Sequence, residues 1–324
     1  MRHLFRLIRL TSIALLLVLT LVGAQPTLAQ GDGTPNPGTP TINTGPGIGD
    51  EVSIFDSDSL DEVATVTVDS IIDPFEDYEE FAPPESGTRF VGVEFTITNL
   101  IANDSIDPPI YELSLLTTEG LLVENGFVIV AEDADIEEFP TDSILGNESA
   151  NGFLFFTLPE DAEIAGIYYT AYGQFTLLAG ITETVSPELG DVVTASDVEG
   201  NDYAAVSVTE YVDPFEDYDE FSAPERGQRV VAVMVEVENL IANDGIDLGP
   251  ETFSLVTADG FQIFNGYTTP SDDSDVDALE STRLRGGETG GGTIFFIVPE
   301  DAEISGIIFS PDYQIFVNLG NPGT

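Results

Sequence analysis

The pentapeptide PFEDY occurs twice, at Pro74 to Tyr78 and at Pro214 to Tyr218, and much of the surrounding chain recurs at the same offset of 140 residues. NLIAND at Asn99 to Asp104 returns at Asn239 to Asp244, and PEDAEI at Pro159 to Ile164 returns at Pro299 to Ile304. A repeat this long is a duplicated domain: one unit of about 135 residues is close to the commonest size of an independently folding domain. Any fold assigned to this chain has to be built twice.

The amino terminus carries Arg2, Arg6 and Arg9 ahead of an apolar run from Ile13 to Val22, with no acidic residue before Asp32. That is the pattern of a secretory signal peptide, residues 1–29, with cleavage after Ala29 and Ala24 as the second choice. The run is shorter than the ~20 residues of a membrane-spanning helix, so no membrane insertion is expected once the signal is removed. Removal takes the only His and three of eight Arg. The chain has no Lys, Cys or Trp, and five Arg then face 59 acidic residues, a formal charge of −54. Such a field repels nucleic acid and anionic lipid; it reads as a hydrated acidic shell that keeps the chain soluble, with specific attraction of cations or basic partners as the other reading. Localisation is expected to be extracellular or in the cell envelope, with a core that holds without disulfides.

Residues 30–48 are rich in Gly, Pro and Thr and read as a flexible linker. The first unit spans 49–183 and the second 187–320, and a join this short predicts a fixed or hinged pair. Within each unit the period is two. Val91, Val93, Phe95 and Ile97 alternate with Gly92, Glu94, Thr96 and Thr98, and Val231, Val233, Val235 and Val237 with Ala232, Met234, Glu236 and Glu238, so each strand has one buried and one wet face. Val66 and Val68, Leu154, Phe156 and Leu158, and their counterparts 140 residues on, mark further strands. Asn125-Gly126, Asn265-Gly266, Glu119-Gly120 and Asp259-Gly260 are expected hairpin turns. The fold class is all-β: two tandem immunoglobulin-like β-sandwiches of seven or eight strands each.

The succession of motifs resembles a known family. Each unit opens on G-D-x-V (Gly49 to Val52; Gly190 to Val193) and has P-E-x-G before the alternating strand (Pro84 to Gly87; Pro224 to Gly227). A strand ending in Asn99 or Asn239 follows, then F/L-S-L-x-T-x-x-G (Leu113 to Gly120; Phe253 to Gly260) and a final strand closing on P-E-D-A. This is similar to the bacterial secreted domain of unknown function with a telokin-like, immunoprotective-extracellular immunoglobulin fold. The resemblance implies fold and export and carries no catalytic residues.

Without His, Cys or Lys after the signal, hydrolytic triads, Schiff-base chemistry and His- or Cys-based zinc sites are excluded. Carboxylate chemistry survives, as in glycosidases or aspartic proteases; no Asp-Thr-Gly or Asp-Ser-Gly of the latter is present, which leaves a glycan hydrolase as the alternative. Oxygen-ligand calcium sites are open as well. Asp133, Asp135 and Glu137, and Asp273, Asp275 and Asp277, stand at the i, i+2, i+4 spacing that begins a calcium loop, but Glu138 and Ala278 replace its Gly and Ile144 and Leu284 its closing Glu.

The second candidate is DPFEDYEEF at Asp73 to Phe81, matched by DPFEDYDEF at Asp213 to Phe221. It reads either as a structured loop capping the sandwich or as a recognition segment. In the second case Phe75, Asp77, Tyr78, Glu79, Glu80 and Phe81, with Phe215, Asp217, Tyr218, Asp219, Glu220 and Phe221, offer aromatic area and charge to a cationic partner. The expected function is a secreted, non-catalytic binding or structural module with no required cofactor and an unnamed extracellular partner; a calcium-dependent adhesion module is the alternative.

Overall fold

The computed structural model describes residues 45–56, 61–170, 174–182, 187–196, 202–310 and 314–319, all within one compact body that runs from Ile42 to Thr324. The signal segment 1–29, most of the 30–48 linker and the 183–186 join lie outside the described residues.

The described chain is all-β. In the first half β1 (Glu51–Phe55), β2 (Glu62–Ile72), β3 (Thr88–Asn99) and β6 (Ser149–Pro159) form one antiparallel sheet. A second sheet has the order β8 (Thr176–Gly180), β7 (Ile164–Tyr169), β4 (Leu113–Thr117) and β5 (Leu121–Gly126). The second half repeats this with β9 (Val192–Ser196), β10 (Asp202–Val212), β11 (Gln228–Asn239) and β16 (Thr289–Pro299) in the outer sheet. Its inner sheet is β18 (Gln314–Asn318), β17 (Ile304–Phe309), β13 (Phe253–Thr257) and β14 (Gln262–Phe264), and β12 (Ile246–Leu248) pairs separately with β15 (Thr282–Leu284). Outside the strands the only regular elements among the described residues are single 3-10 turns such as Glu220–Ser222.

The period-two pattern decides which face is buried. Val91, Val93, Phe95 and Ile97 are wholly buried against Val66, Val68, Leu115 and Ile167, and Val231, Val233, Val235 and Val237 form the matching core with Val206, Val208, Leu255 and Ile307. Each such side chain contributes roughly 1.5–3 kcal/mol. The opposite face is wet only in part. Glu94, Thr96 and Thr98 are not buried, but Gly92 and Ala232 are, because Phe75 and Phe215 fold back across them. A Cβ on Gly92 would stand 3.3–3.4 Å from Phe75, Phe153 and Phe155, which explains the glycine.

Two of the expected hairpin turns hold. Gly120 and Gly260 close the β4–β5 and β13–β14 connections at φ +88° and +85°, the left-handed region that glycine enters without penalty. Asn125-Gly126 is not a turn: both residues belong to β5, which crosses to pair with Phe156 and Phe155 of β6. Gly266, just past the end of β14, likewise donates its N–H to Phe295 O at 3.0 Å and lies in no turn. The sheet edge offered there outweighs the local turn preference of Asn-Gly.

The inner sheets of the two halves are joined. Leu121 and Leu122 of β5 pair with Ile315 and Gln314 of β18, and Phe316 N donates to Gly120 O at 2.7 Å. At the other edge Gln174, just before β8, bridges Phe261, just before β14, and Phe175 N donates to Gly260 O at 2.5 Å. Eight strands therefore close into a ring, with Leu116, Leu122, Ala165, Phe175, Val256, Ile308 and Phe316 as a core shared by both halves. This is why β4 and β13 are buried at every position: Leu113 and Leu115 face their own sandwich, and Leu116 faces the ring. Of the fixed and the hinged pair, the structure shows the fixed one.

Candidate functional site

The DPFEDY segment follows β2, which carries a bulge between Val68 and Ser70, as β10 does between Val208 and Glu210. A bulge bends its strand and re-aims the residues beyond it. The segment is then held by one arginine. Arg89 on β3 engages Asp73 with two parallel hydrogen bonds, Nε to Oδ1 at 2.6 Å and Nη2 to Oδ2 at 2.9 Å. Its remaining N–H groups donate to the carbonyls of Pro159, Glu160 and Ala162. Arg229 does the same with Asp213, Pro299, Glu300 and Ala302. The planar fork of guanidinium suits such bidentate pairing, and hydrogen bonding to the aspartate raises both arginines above their ordinary pKa despite partial burial. One side chain thus ties the PFEDY segment to the PEDA turn, and both recurring motifs have a structural cause. NLIAND has one too: Asn99 is fully buried, donates to the carbonyls of Asp104 and Ile144 at 2.9 Å each, and accepts from Ile101 N, and Asn239 repeats the set.

The placement divides the proposed recognition residues. Phe75 and Phe215 are buried, their rings 4.8 and 5.2 Å from Phe155 and Phe295, so they are core and offer no contact area. Tyr78 sets its ring edge against Phe90 at 5.4 Å and is half-buried, as is Tyr218. Phe81 and Phe221 point outward, 76% and 91% exposed. Asp219 accepts from Phe221 N at 2.8 Å and caps the 3-10 turn that presents Phe221.

The structure also brings the two acidic candidates together at one corner of each sandwich. Tyr78 bridges Val130, Glu79 N donates to Ile129 O, Ala131 N donates to Asp77 O, and Glu132 N reaches Glu79 Oε1. Tyr218 bridges Pro270, and Ser271 Oγ donates to Asp217, whose carboxyl is held below the usual aspartate range by its bonds to Ser271 and Ser274. The acids expected to bind calcium follow from there: Asp133 and Asp273 sit in turns closed by Ala134 N to Ala131 O and Ser274 N to Ser271 O, each at 3.0 Å, whereas further on Phe153 N donates to Glu137 O and Thr293 N to Asp277 O, both at 2.8 Å. Asp133, Asp135 and Glu137, and Asp273, Asp275 and Asp277, are not gathered around a point; among the described residues no group of three or more acids converges to hold a metal ion.

Sequence reasoning missed Phe127 and Tyr267. They stand three residues before Val130 and Pro270, as Phe81 and Phe221 stand three residues after Tyr78 and Tyr218, so each pair leaves its bridge at the same end. Phe127 is 84% and Tyr267 87% exposed; with Phe221 they are the three most exposed large hydrophobics among the described residues, and Phe81 follows level with Tyr111. The signal available was an aromatic at the same place in both copies. Burial does not explain these four rings.

In comparison with known proteins, residues 188–315 match the family model described as a domain of unknown function, DUF4352. No curated protein is recognisably similar in sequence. Among solved structures the chain is similar to the yjhA protein of Bacillus subtilis at 14% identity, over 41% of this chain and 99% of that one, with a TM-score of 0.31. It is similar to the secreted protein MPT63 of Mycobacterium tuberculosis at 15% identity, over 41% and 94% of the two chains, with a TM-score of 0.31. Similarity to the putative lipoprotein ycdA of B. subtilis is 20% identity over 36% of each chain, with a TM-score of 0.28.

Proposed function

We propose that the chain is an exported, non-catalytic module of two tandem sandwiches that captures a cationic protein at the acidic, aromatic corner of each sandwich. The observation that carries this reading is the exposure of Phe81, Phe127, Phe221 and Tyr267 at matching places amid Glu79, Glu80, Glu132, Asp217, Asp219 and Glu220. An aromatic face with carboxylates beside it complements guanidinium or ammonium, which stacks on the ring and bonds to the acid. Net charge supports the same partner class, since the exported chain attracts cations at long range. The export segment supports a place outside the cytoplasm, and among the described residues no helix is long and apolar enough to cross a membrane.

The test is binding of a short arginine-rich peptide, with a glutamate-rich peptide of equal length as control, to wild type and to the Phe81→Ser, Phe221→Ser double variant. Binding of the basic peptide alone, weakened about tenfold or more by the double variant, is expected. Equal binding by wild type and variant refutes the corner as the site.

A further inference from the structure

We infer that the two corners act as one bivalent clamp on a single linear, arginine-rich polypeptide. This rests on the corner as a capture site for cationic protein and adds to it a mode of engagement. Three observations carry it.

The first is rigidity. The inner sheets are hydrogen-bonded at both edges, Phe316 to Gly120 on one side and Phe175 to Gly260 on the other, and share a buried core between them. Each corner is fastened to its own sandwich by a bidentate arginine and a buried phenylalanine. The separation between corners is therefore fixed by the fold. When a partner is held at one corner, the second capture is intramolecular, at an effective concentration set only by the partner's own reach.

The second is equivalence. Each corner presents two outward aromatic rings from the same two segments, beside carboxylates in the same order. Two sites of the same chemistry on one body suit a partner that repeats its own chemistry along its length. Arginine matches best, because its flat cation covers an aromatic face while its edge bonds to a carboxylate.

The third is the charge of the rest of the body. Among the described residues Arg89 and Arg229 are engaged in the clamps and Arg283 is paired with Asp244 and Asp247, so three of the five arginines are already neutralised by acids. The excess of acid over free arginine attracts a basic chain held at either corner.

The experiment uses the full exported chain and synthetic peptides with one arginine cluster, or with two clusters joined by Gly/Ser linkers of about 5 to 30 residues, which span up to ~3.3–3.6 Å per residue. Calorimetry reads affinity and stoichiometry, and light scattering reads the mass of the complex. The one-cluster peptide is expected to bind two per chain. Beyond a threshold linker length, the two-cluster peptide binds one per chain and about 10²-fold or more tighter. In the Phe221→Ser, Tyr267→Ser variant the gain disappears and one short peptide binds.

A two-cluster peptide no tighter than the short one at every length overturns the clamp while leaving the corner reading intact, and so does one that cross-links two protein molecules. Failure of the short peptide to bind overturns both. A vesicle arm of zwitterionic lipid covers the other use of exposed rings: retention on vesicles through these aromatics, with no peptide binding, assigns them to a lipid surface and overturns the clamp.

Discussion

Replacing Arg229 by Met tests the proposition that one side chain holds each corner, and the two halves supply an internal control. Met keeps most of the apolar stem and removes the fork. Asp213 then loses both of its guanidinium bonds, keeps the 2.9 Å bond from Tyr211 Oη, and sits with 9% of its side chain exposed, while Arg229 itself is 17% exposed. Breaking a pair this well covered leaves a desolvated charge and costs about 3–5 kcal/mol, and we expect the lower end because water reaches the rim. Asp73, Arg89's partner, is 28% exposed and can be hydrated once its partner is gone. Arg89→Met is expected to cost about 1–2 kcal/mol, between the buried and the surface limits. Urea denaturation of the full chain, with unchanged m-values, reads the difference directly. Adding Asp213→Asn to Arg229→Met should recover part of the loss, since the stranded charge is removed. Costs below about 0.5 kcal/mol for both variants, or a larger cost for Arg89→Met, would refute the clamping role of these arginines.

Thr268 occupies the place that Val128 holds in the first half; it is 9% exposed and its Oγ1 has no partner among the described residues. Thr268→Val is expected to stabilise the protein by roughly 1–2 kcal/mol, and Val128→Thr to destabilise it by a similar amount, in thermal or urea melts. The phenol of Tyr168, in the shared core, is pushed up to about 12 by burial, and Tyr211 is raised by burial and by Asp213. Unfolded tyrosine ionises near 10, so the Tyr168 contribution to stability is complete below pH ~10 and is lost as pH rises towards 12, at about 1.4 kcal/mol per pH unit, with a smaller, solvent-screened loss from Tyr211. Melts from pH 9 to 12 should show the decline, and Tyr168→Phe should make it shallower.

The strands were legible because alternation at Val91 to Ile97 and Val231 to Val237 admits one reading, and the turns at Gly120 and Gly260 because their backbone demands glycine. Gly92 and Ala232 misled, since nothing local says that Phe75 and Phe215, in a loop well upstream, will cover them. The arginine clamp had a visible trace, two of the five downstream arginines at the same 140-residue offset, but its partners are three carbonyls and a carboxylate that only the fold assembles. The ring between the halves left a fainter one: Leu116 and Val256 break the alternation of LSLLT and FSLVT, a mark of strands covered on both faces. At the corners, Phe75 and Phe81 look alike in sequence, and only the packing against Phe155 separates core from surface.

A sheet edge is a row of unspent amide and carbonyl groups, and any stray strand that meets it finds a template for fibril growth. Two separate sandwiches would each display two such rows on their inner sheets, without disulfides to hold a loosened strand in place. By spending β5 on β18 and the start of β14 on the approach to β8, the chain uses its own second half as the stray strand. Its duplication thereby works as protection against aggregation.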